Sequence, residues 1–195
     1  MNLGLSNKSA VGGRDYATEA DFCQLFREQM NRFYFLSLLL TADADRAEQC
    51  FVTSLESCMQ SRRVFKDWAQ RWATHTIIKT AIHIVAPAQI TAGSGILRPE
   101  RNATGSGAEA LLSALQAVPP LDRFVHHMTV VERYSDLECS TFLGCSAKEV
   151  RQSRERALER LGANQSLSKM VTEFDPVMAK AFISNMVEKA AHVRP

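Results

Sequence analysis

The sequence predicts an all-α fold of two small helical domains joined by a flexible linker, with a helix-turn-helix in the C-terminal domain. Three observations support this prediction. Apolar residues recur at spacings of three, four and seven, which is the period of a helix with one buried face. No stretch alternates apolar and polar residues for long enough to indicate a strand. The segment 87–107 contains several glycines and few large apolar residues, as linkers do.

The composition is that of a globular chain with little net charge. Of its 195 residues, 46% are hydrophobic, and the formal net charge is +2. That charge neither favours nor excludes a nucleic-acid partner, because the clustering of Lys and Arg matters more. No apolar run reaches the roughly 18–20 residues that span a membrane, and the opening residues lack a secretory apolar core. We therefore expect a cytoplasmic protein without membrane insertion.

The cysteine and histidine patterns argue against a disulfide framework, a metal site and an enzyme. The five cysteines are odd in number and form no Cys-x-x-Cys pair. Since cysteine often packs as a small apolar residue, we expect Cys50 and Cys58 to be buried on one helix. The histidines show no metal-ligand spacing, and the sequence contains neither a phosphate-binding loop nor a nucleophile elbow. It therefore predicts a protein without catalysis, cofactor or metal.

The first helical domain is predicted over 19–86, after a flexible leader at 1–18. Its apolar residues form periodic faces that we expect to be buried. Asp43 and Asp45 can each cap the second helix, because a short acidic side chain accepts hydrogen bonds from the free amides of a first turn. The predicted faces comprise Phe22, Leu25, Phe26, Phe33, Leu36 and Leu40 in the first stretch, and Ala47, Cys50, Phe51, Ser54, Leu55 and Cys58 in the second helix.

The third helix of this domain is expected over 64–85, after a short basic break. Pro87 stops it, because proline disfavours a helical residue before it and has no amide hydrogen to donate. Beyond the linker, the second helical domain is predicted over 108–162. The tail, 163–195, contains one amphipathic helix at 176–191, which needs a surface to pack on. We expect this helix to dock on one of the domains, where it either limits access to partners or completes a core.

Two helices joined by a sharp turn are predicted at 135–161. Ser135 begins the first helix, in which Cys139 and Leu143 are expected to be buried. Gly144 can adopt the positive φ that a tight turn between helices requires. Each of these local features agrees with a helix-turn-helix.

The second of these helices is expected to begin at Ser146, with Glu149 in the capping-box position, and to bury Val150, Ala157 and Leu161. Such a helix can lie in the major groove, where Arg favours guanine edges and Gln favours adenine. The alternative is an ordinary surface helix, because acidic residues alternate with the basic ones. The residues predicted to contact DNA are Lys148, Arg151, Gln152, Arg154 and Arg156, with Arg160 further along.

Both domains resemble those of the extracytoplasmic-function group of RNA polymerase sigma factors. The C-terminal domain of that family contains a Ser-Tyr-x-Glu-Ile-Ala-x-x-Leu-Gly-x-Ser-like run before a Val-rich recognition helix. The matching positions here are Ser135, Glu138, Leu143, Gly144, Ser146, Val150 and Ala157. The opening over 21–43, followed by Arg46-Ala47-Glu48, is similar to the first two helices of the family's N-terminal domain. The family's Phe-x-x-Trp-x-x-Arg-x-Ala pattern is matched by Phe65, Trp68, Arg71 and Ala73.

The resemblance implies a sigma factor that directs core RNA polymerase to promoter DNA, with an anti-sigma factor as a further partner. In this family the N-terminal domain binds the polymerase clamp and opens the minus-ten element, and the C-terminal domain reads the minus-thirty-five element. Carried over, the strand-opening surface lies near Trp68 and comprises Arg71, Trp72, His75 and Lys79, whose rings and charges suit single-stranded bases and phosphates. The residues that contact polymerase would be Glu48, Gln49, Val52, Thr53 and Glu56.

The chain departs from the family at two places in its first domain. The acidic clamp-binding run is replaced by 49–55, which lacks two of the acids, and the loop that captures a flipped base is short, at about 60–64.

Trp68 is expected to be a core residue, whereas Trp72 suits the core and a contact role equally. The alternative function is a sigma-like helix-turn-helix regulator or adaptor that binds protein or DNA without initiating transcription.

Overall fold

The structure is a computed structural model that describes residues 15–88 and 107–162, with the backbone alone at 107–111 and 161–162. Most of the predicted leader and linker, and the whole predicted tail with its helix at 176–191, lie outside these residues. The described part forms α-helices and no β-strand, which confirms the predicted all-α class. Its helices are α1 (Glu19–Glu28), α2 (Met30–Thr41), α3 (Ala44–Met59), α4 (Ala69–Val85), α5 (Gly107–Gln116), α6 (Pro120–His126), α7 (Asp136–Leu143) and α8 (Ala147–Gly162).

The helix ends follow local capping signals in the sequence. At the start of α1 the Thr18 hydroxyl accepts from the Asp21 amide at 3.2 Å, and the Asp21 carboxylate accepts from the Thr18 amide at 2.8 Å. Asp43 caps α3 by accepting from a backbone amide of the first turn at 2.9 Å, so it is the first of the two predicted caps that is used. The α4 helix stops just before Pro87, as predicted.

The α4 helix begins at Ala69, later than the predicted start near residue 64. The chain before it is extended and pairs with the residues that precede α1. The Ala17 amide donates to the Val64 carbonyl at 2.7 Å, and the Lys66 amide donates to the Asp15 carbonyl at 3.0 Å. A 3₁₀ turn then leads into α4. The end of the predicted leader is therefore hydrogen-bonded to the helical body.

The C-terminal helices pack directly on α2. Buried Arg123 of α6 donates through Nη2 to the Leu40 carbonyl at 3.2 Å, and Gln116 Nε2 donates to the Ala42 carbonyl at 3.1 Å. Both groups of buried apolar residues draw members from the two predicted domains: Phe33, Leu36 and Leu40 with Phe124, Val125 and Met128, and Leu38 and Leu39 with Leu115 and Val118. The division into two domains stays a prediction, since the structure joins them through shared buried residues. None of the described helices combines the length and apolar character needed to cross a membrane.

Gly144 ends α7 with a positive φ of 66°, as the turn prediction requires. A Cβ built there meets no atom within 4 Å, so a substitution at this position tests the backbone alone. We expect Gly144→Ala to lower the free energy of unfolding by about 1 kcal/mol, because a Cβ disfavours the left-handed conformation. Gly144→Asn is expected to lose less, because asparagine tolerates this region better. Urea unfolding measures both, and equal stability of all three proteins would contradict the assignment of strain to this turn.

Candidate nucleic-acid interface

The two tryptophans at the start of α4 are exposed. Trp68 is 67% exposed and Trp72 is 42% exposed. The prediction that Trp68 belongs to the core is therefore wrong. Trp68 is exposed because α4 starts late. It lies in the 3₁₀ turn before the helix and is not on the helix face that buries Ala73 and Ile77.

Residues 72, 75 and 79 follow one another at spacings of three and four, so they share one face of α4. Together with Trp68, directly before the helix, and Arg71, next to Trp72 in the chain, they form what we call the α4 stripe. Arg71 and, about two turns further along α4, Lys79 are exposed, whereas His75 is half-buried. Three of the four predicted strand-opening residues are thus accessible to a ligand. The stripe presents aromatic rings and cationic groups together, a combination that suits single-stranded nucleic acid.

The rings of the α4 stripe are held by neighbouring groups. The Trp72 indole donates to the Ser61 hydroxyl at 3.0 Å, and its ring lies nearly parallel to that of His75, with centroids 6.2 Å apart and an angle of 25° between planes. His75 Nδ1 lies 3.0 Å from the Tyr134 hydroxyl oxygen. Burial, and then the charges of Lys79 and Arg71, lower the pKa of His75 below its usual 6.5, so the imidazole is neutral near pH 7.

An open cavity of about 870 Å³ adjoins the α4 stripe through Ser61. It lies where the sequence predicts the short base-capturing loop, between the end of α3 and the extended segment before α4. Arg63 in its wall has a φ of 65°, which costs free energy for any residue with a Cβ. Sequence reasoning missed the cavity, although the basic Ser61-Arg62-Arg63 break marks it. The lining residues are Tyr16, Ala17, Thr18, Glu19, Ala20, Met59, Gln60, Ser61, Arg62 and Arg63.

The α3 helix separates its predicted polymerase contacts from its buried face. Cys50, Ser54 and Cys58 are fully buried, and burial raises the pKa of both thiols to about 11, so they pack as neutral groups. The prediction of buried Cys50 and Cys58 is confirmed. The residues predicted to contact polymerase share the exposed face of α3: Glu48, Gln49, Val52, Thr53 and Glu56.

Capping boxes begin both α7 and α8, which the turn at Gly144 joins. The Ser135 amide donates to Glu138 at 2.7 Å, and the Ser146 amide donates to Glu149 at 2.7 Å. The predicted helix starts are therefore confirmed, and so is the burial of Cys139, Leu143, Val150 and Ala157. The predicted inward side chain of Leu161 lies outside the described ones. The assignment of this helix pair to DNA binding stays a prediction.

The side chains of α8 that are predicted to contact DNA fall into two groups: some are exposed, and others are paired with a carboxylate. Lys148, Arg151 and Gln152 are exposed in the first turns of the helix. Arg154, one of the residues predicted to contact DNA, forms an ion pair with Asp136. The exposed basic side chains of α8 are therefore Lys148 and Arg151 in its first turns, and Arg160 near its end, whose Nη1 donates to the Ala117 carbonyl at 3.4 Å.

Arg156 is paired with a buried carboxylate. Its Nη2 and Nε donate to Asp122 at 2.9 Å and 3.3 Å, and the buried Ser153 hydroxyl donates to the same carboxylate at 2.6 Å. Asp122 is fully buried on α6. Arg156 therefore joins α8 to α6, a structural role that the sequence prediction of a DNA contact did not include. No pattern at Asp122 signals the pair, because the residues are far apart in the chain.

The described side chains include no group of three His, Cys, Asp or Glu residues arranged to hold a metal ion. The features that stand out are therefore the α4 stripe with its cavity, the exposed face of α3 and the start of α8.

No protein-family model, no curated protein and no solved structure matches this chain.

Proposed function

We propose that the protein is a sigma factor of the extracytoplasmic-function type, which directs core RNA polymerase to specific promoters. The observation that carries the proposal is the exposure of Trp68 and Trp72 beside cationic side chains on α4. Large aromatic rings are costly to expose without a ligand, and single-stranded bases stack on such rings while phosphates pair with Arg and Lys. The same chain carries the capped α7–α8 pair, whose exposed N-terminal residues suit the major groove.

In this proposal the α4 stripe holds the opened strand of the minus-ten element. Each base stacked on a tryptophan contributes about 1–3 kcal/mol to binding. The cavity beside Ser61 accepts an unstacked base, and Arg62 and Arg63 in its wall can pair with the flanking phosphates. Because stacking is tolerant of sequence, this surface holds the strand open more than it selects a promoter.

Promoter selection then rests on α8. Arg151 and Gln152 lie early on the exposed face of the helix, where a recognition helix meets base edges. Arg can bond guanine through two donors, and Gln can bond adenine through a donor and an acceptor. The exposed face of α3 is assigned to core polymerase.

The proposal is tested with the full chain and core polymerase from the source organism. A stable complex on gel filtration at micromolar concentration and run-off transcripts from one promoter class are the expected results. The absence of a complex would contradict the sigma assignment. A complex without transcripts would favour the adaptor, which binds protein without initiating transcription.

Arg151→Ala and Gln152→Ala are each expected to weaken binding to the upstream promoter element by about 1–3 kcal/mol, because each removes a base-edge contact. Arg27→Ala, at an exposed position on α1, removes one positive charge elsewhere and is the matched control. Footprinting at constant salt measures all three, since phosphate contacts make affinity depend on salt. Footprints in the α8 variants that equal that of the control would mean that α8 does not read sequence.

A further inference from the structure

The middle of the α4 stripe is covered by residues of the segment 132–142, which leads from α6 into α7. The Tyr134 hydroxyl meets His75 Nδ1 at 3.0 Å, and the Phe142 ring packs edge-on against His75 with centroids 5.1 Å apart. Tyr134 and Phe142 also contact each other, with centroids 5.7 Å apart. His75 is the one predicted strand-opening residue that is half-buried, and these two rings cover it. A strand that followed the stripe from Trp72 to Lys79 would meet them.

Two carboxylates, Glu132 and Glu138, lie on the same segment as Tyr134 and Phe142. The neighbouring imidazole of His127, whose Nε2 lies 3.6 Å from a Glu132 carboxylate oxygen, chiefly lowers the pKa of Glu132, and the charges of Arg32 and Arg71 lower it further. The capping hydrogen bonds from Ser135 chiefly lower the pKa of Glu138, and Arg71 again adds to the effect. The segment that carries Tyr134 and Phe142 therefore also carries two carboxylates that are ionised near pH 7.

Aromatic rings and carboxylates in this order present the chemistry of a single strand, in which flat rings alternate with anionic groups. We infer that the segment 132–142 is an intramolecular competitor, which occupies the centre of the α4 stripe and must be displaced before single-stranded DNA can bind there. This inference rests on the proposed function of the stripe. It adds that the free protein holds its strand-opening surface closed.

The backbone is distorted where this segment leaves α6. A π-helical turn, His127–Val131, follows the helix, and Arg133 then has a φ of 61°. Both features are unfavourable for ordinary residues and occur where a chain changes direction or moves. Phe124 and Val125, before the distortion, are fully buried and anchor α6 to the core. The distorted backbone therefore lies where the segment turns away from α6 towards the α4 stripe.

The test measures the affinity of the full chain for a labelled single-stranded DNA oligonucleotide by fluorescence anisotropy. Glu138→Gln removes a negative charge from the competing segment, which repels an anionic strand, and is expected to tighten binding about threefold. Glu28→Gln, at an exposed position on α1, is the control: it removes the same charge from a helix with no assigned DNA contact, and should not tighten binding. The double variant Tyr134→Ala/Phe142→Ala is expected to tighten binding about tenfold, because it uncovers a stacking position.

Equal affinity of Glu138→Gln and its control, or weaker binding by the double variant, would overturn the competitor role. Weaker binding would instead mean that Tyr134 and Phe142 belong to the strand-binding surface. If the double variant fails to fold, as judged by circular dichroism, the charge variants still decide. Trp68→Ala separates this inference from the proposed function: Trp68 lies outside the covered part, so unchanged affinity in Trp68→Ala would refute the stripe itself, whereas weakened affinity without tightening in Glu138→Gln would refute only the competition.

Discussion

Arg156→Ala is expected to lower the free energy of unfolding by about 3 kcal/mol, because it leaves a buried carboxylate without its cation. Asp122 is fully buried and, among the described hydrogen-bond donors, would keep the Ser153 hydroxyl, 2.6 Å away. The lost ion pair also joins α8 to α6, so the two helices should separate early in unfolding. Urea unfolding followed by circular dichroism measures the change.

Arg154→Ala is the matched control for this prediction. It removes the same side chain from the same helix, but the pair that Arg154 forms with Asp136 is partly exposed, at 35% and 26% for the two side chains. Partly exposed pairs contribute less than about 1 kcal/mol. Adding Asp122→Asn to the Arg156→Ala variant should recover part of the loss, since the amide carries no charge. Equal losses in the two arginine variants would contradict the structural role of Arg156.

The protein is expected to lose about 3 kcal/mol of stability as the pH falls from 6.5 to 4, because His126 is buried in its neutral form. Burial, and then the neighbouring His127, lower the pKa of His126 from 6.5 to about 4. Its Nδ1 has no hydrogen-bond partner among the described residues, and its side chain is 2% exposed. A proton added there must be held without a partner.

The sign of this dependence follows from the lowered pKa of His126. The unfolded chain binds the proton at a higher pH than the folded chain does, so stability is complete above pH 6.5 and falls towards pH 4. The lowered pKa of Glu132 acts at lower pH, because its stabilisation is lost only below the usual carboxylate value of 4.5. The two groups therefore contribute in different pH windows.

His126→Gln should flatten the slope of stability against pH between 6.5 and 4.5, whatever it costs at neutral pH. His83→Gln, at an exposed position on α4, is the matched control and should keep the wild-type slope. Thermal unfolding at a series of pH values measures both slopes. An unchanged slope in the His126 variant would contradict the neutral burial of this residue.

These two predictions concern side chains whose surroundings the sequence does not reveal, whereas the helices themselves follow from local signals. Ser135, Ser146 and Gly144 act on backbone groups within a few residues of themselves, so their capping and turn roles can be predicted from spacing alone. The buried face of α3 is equally local, because a helix of period 3.6 places Cys50, Ser54 and Cys58 together. The sequence by itself therefore determined the all-α class, the capped α7–α8 pair and the burial of these cysteines.

The tertiary structure decided which residues from distant parts of the chain contact one another. It exposes Trp68, because pairing between residues 15–17 and 64–66 delays the start of α4 and shifts the tryptophan out of the core register. It pairs Arg156 with Asp122, which lies 34 residues away in the sequence, and it places the Tyr134 hydroxyl against His75, which lies 59 residues away. Periodicity specifies which face of a helix is buried, but not which partner covers it, and that choice depends on the packing of the whole core.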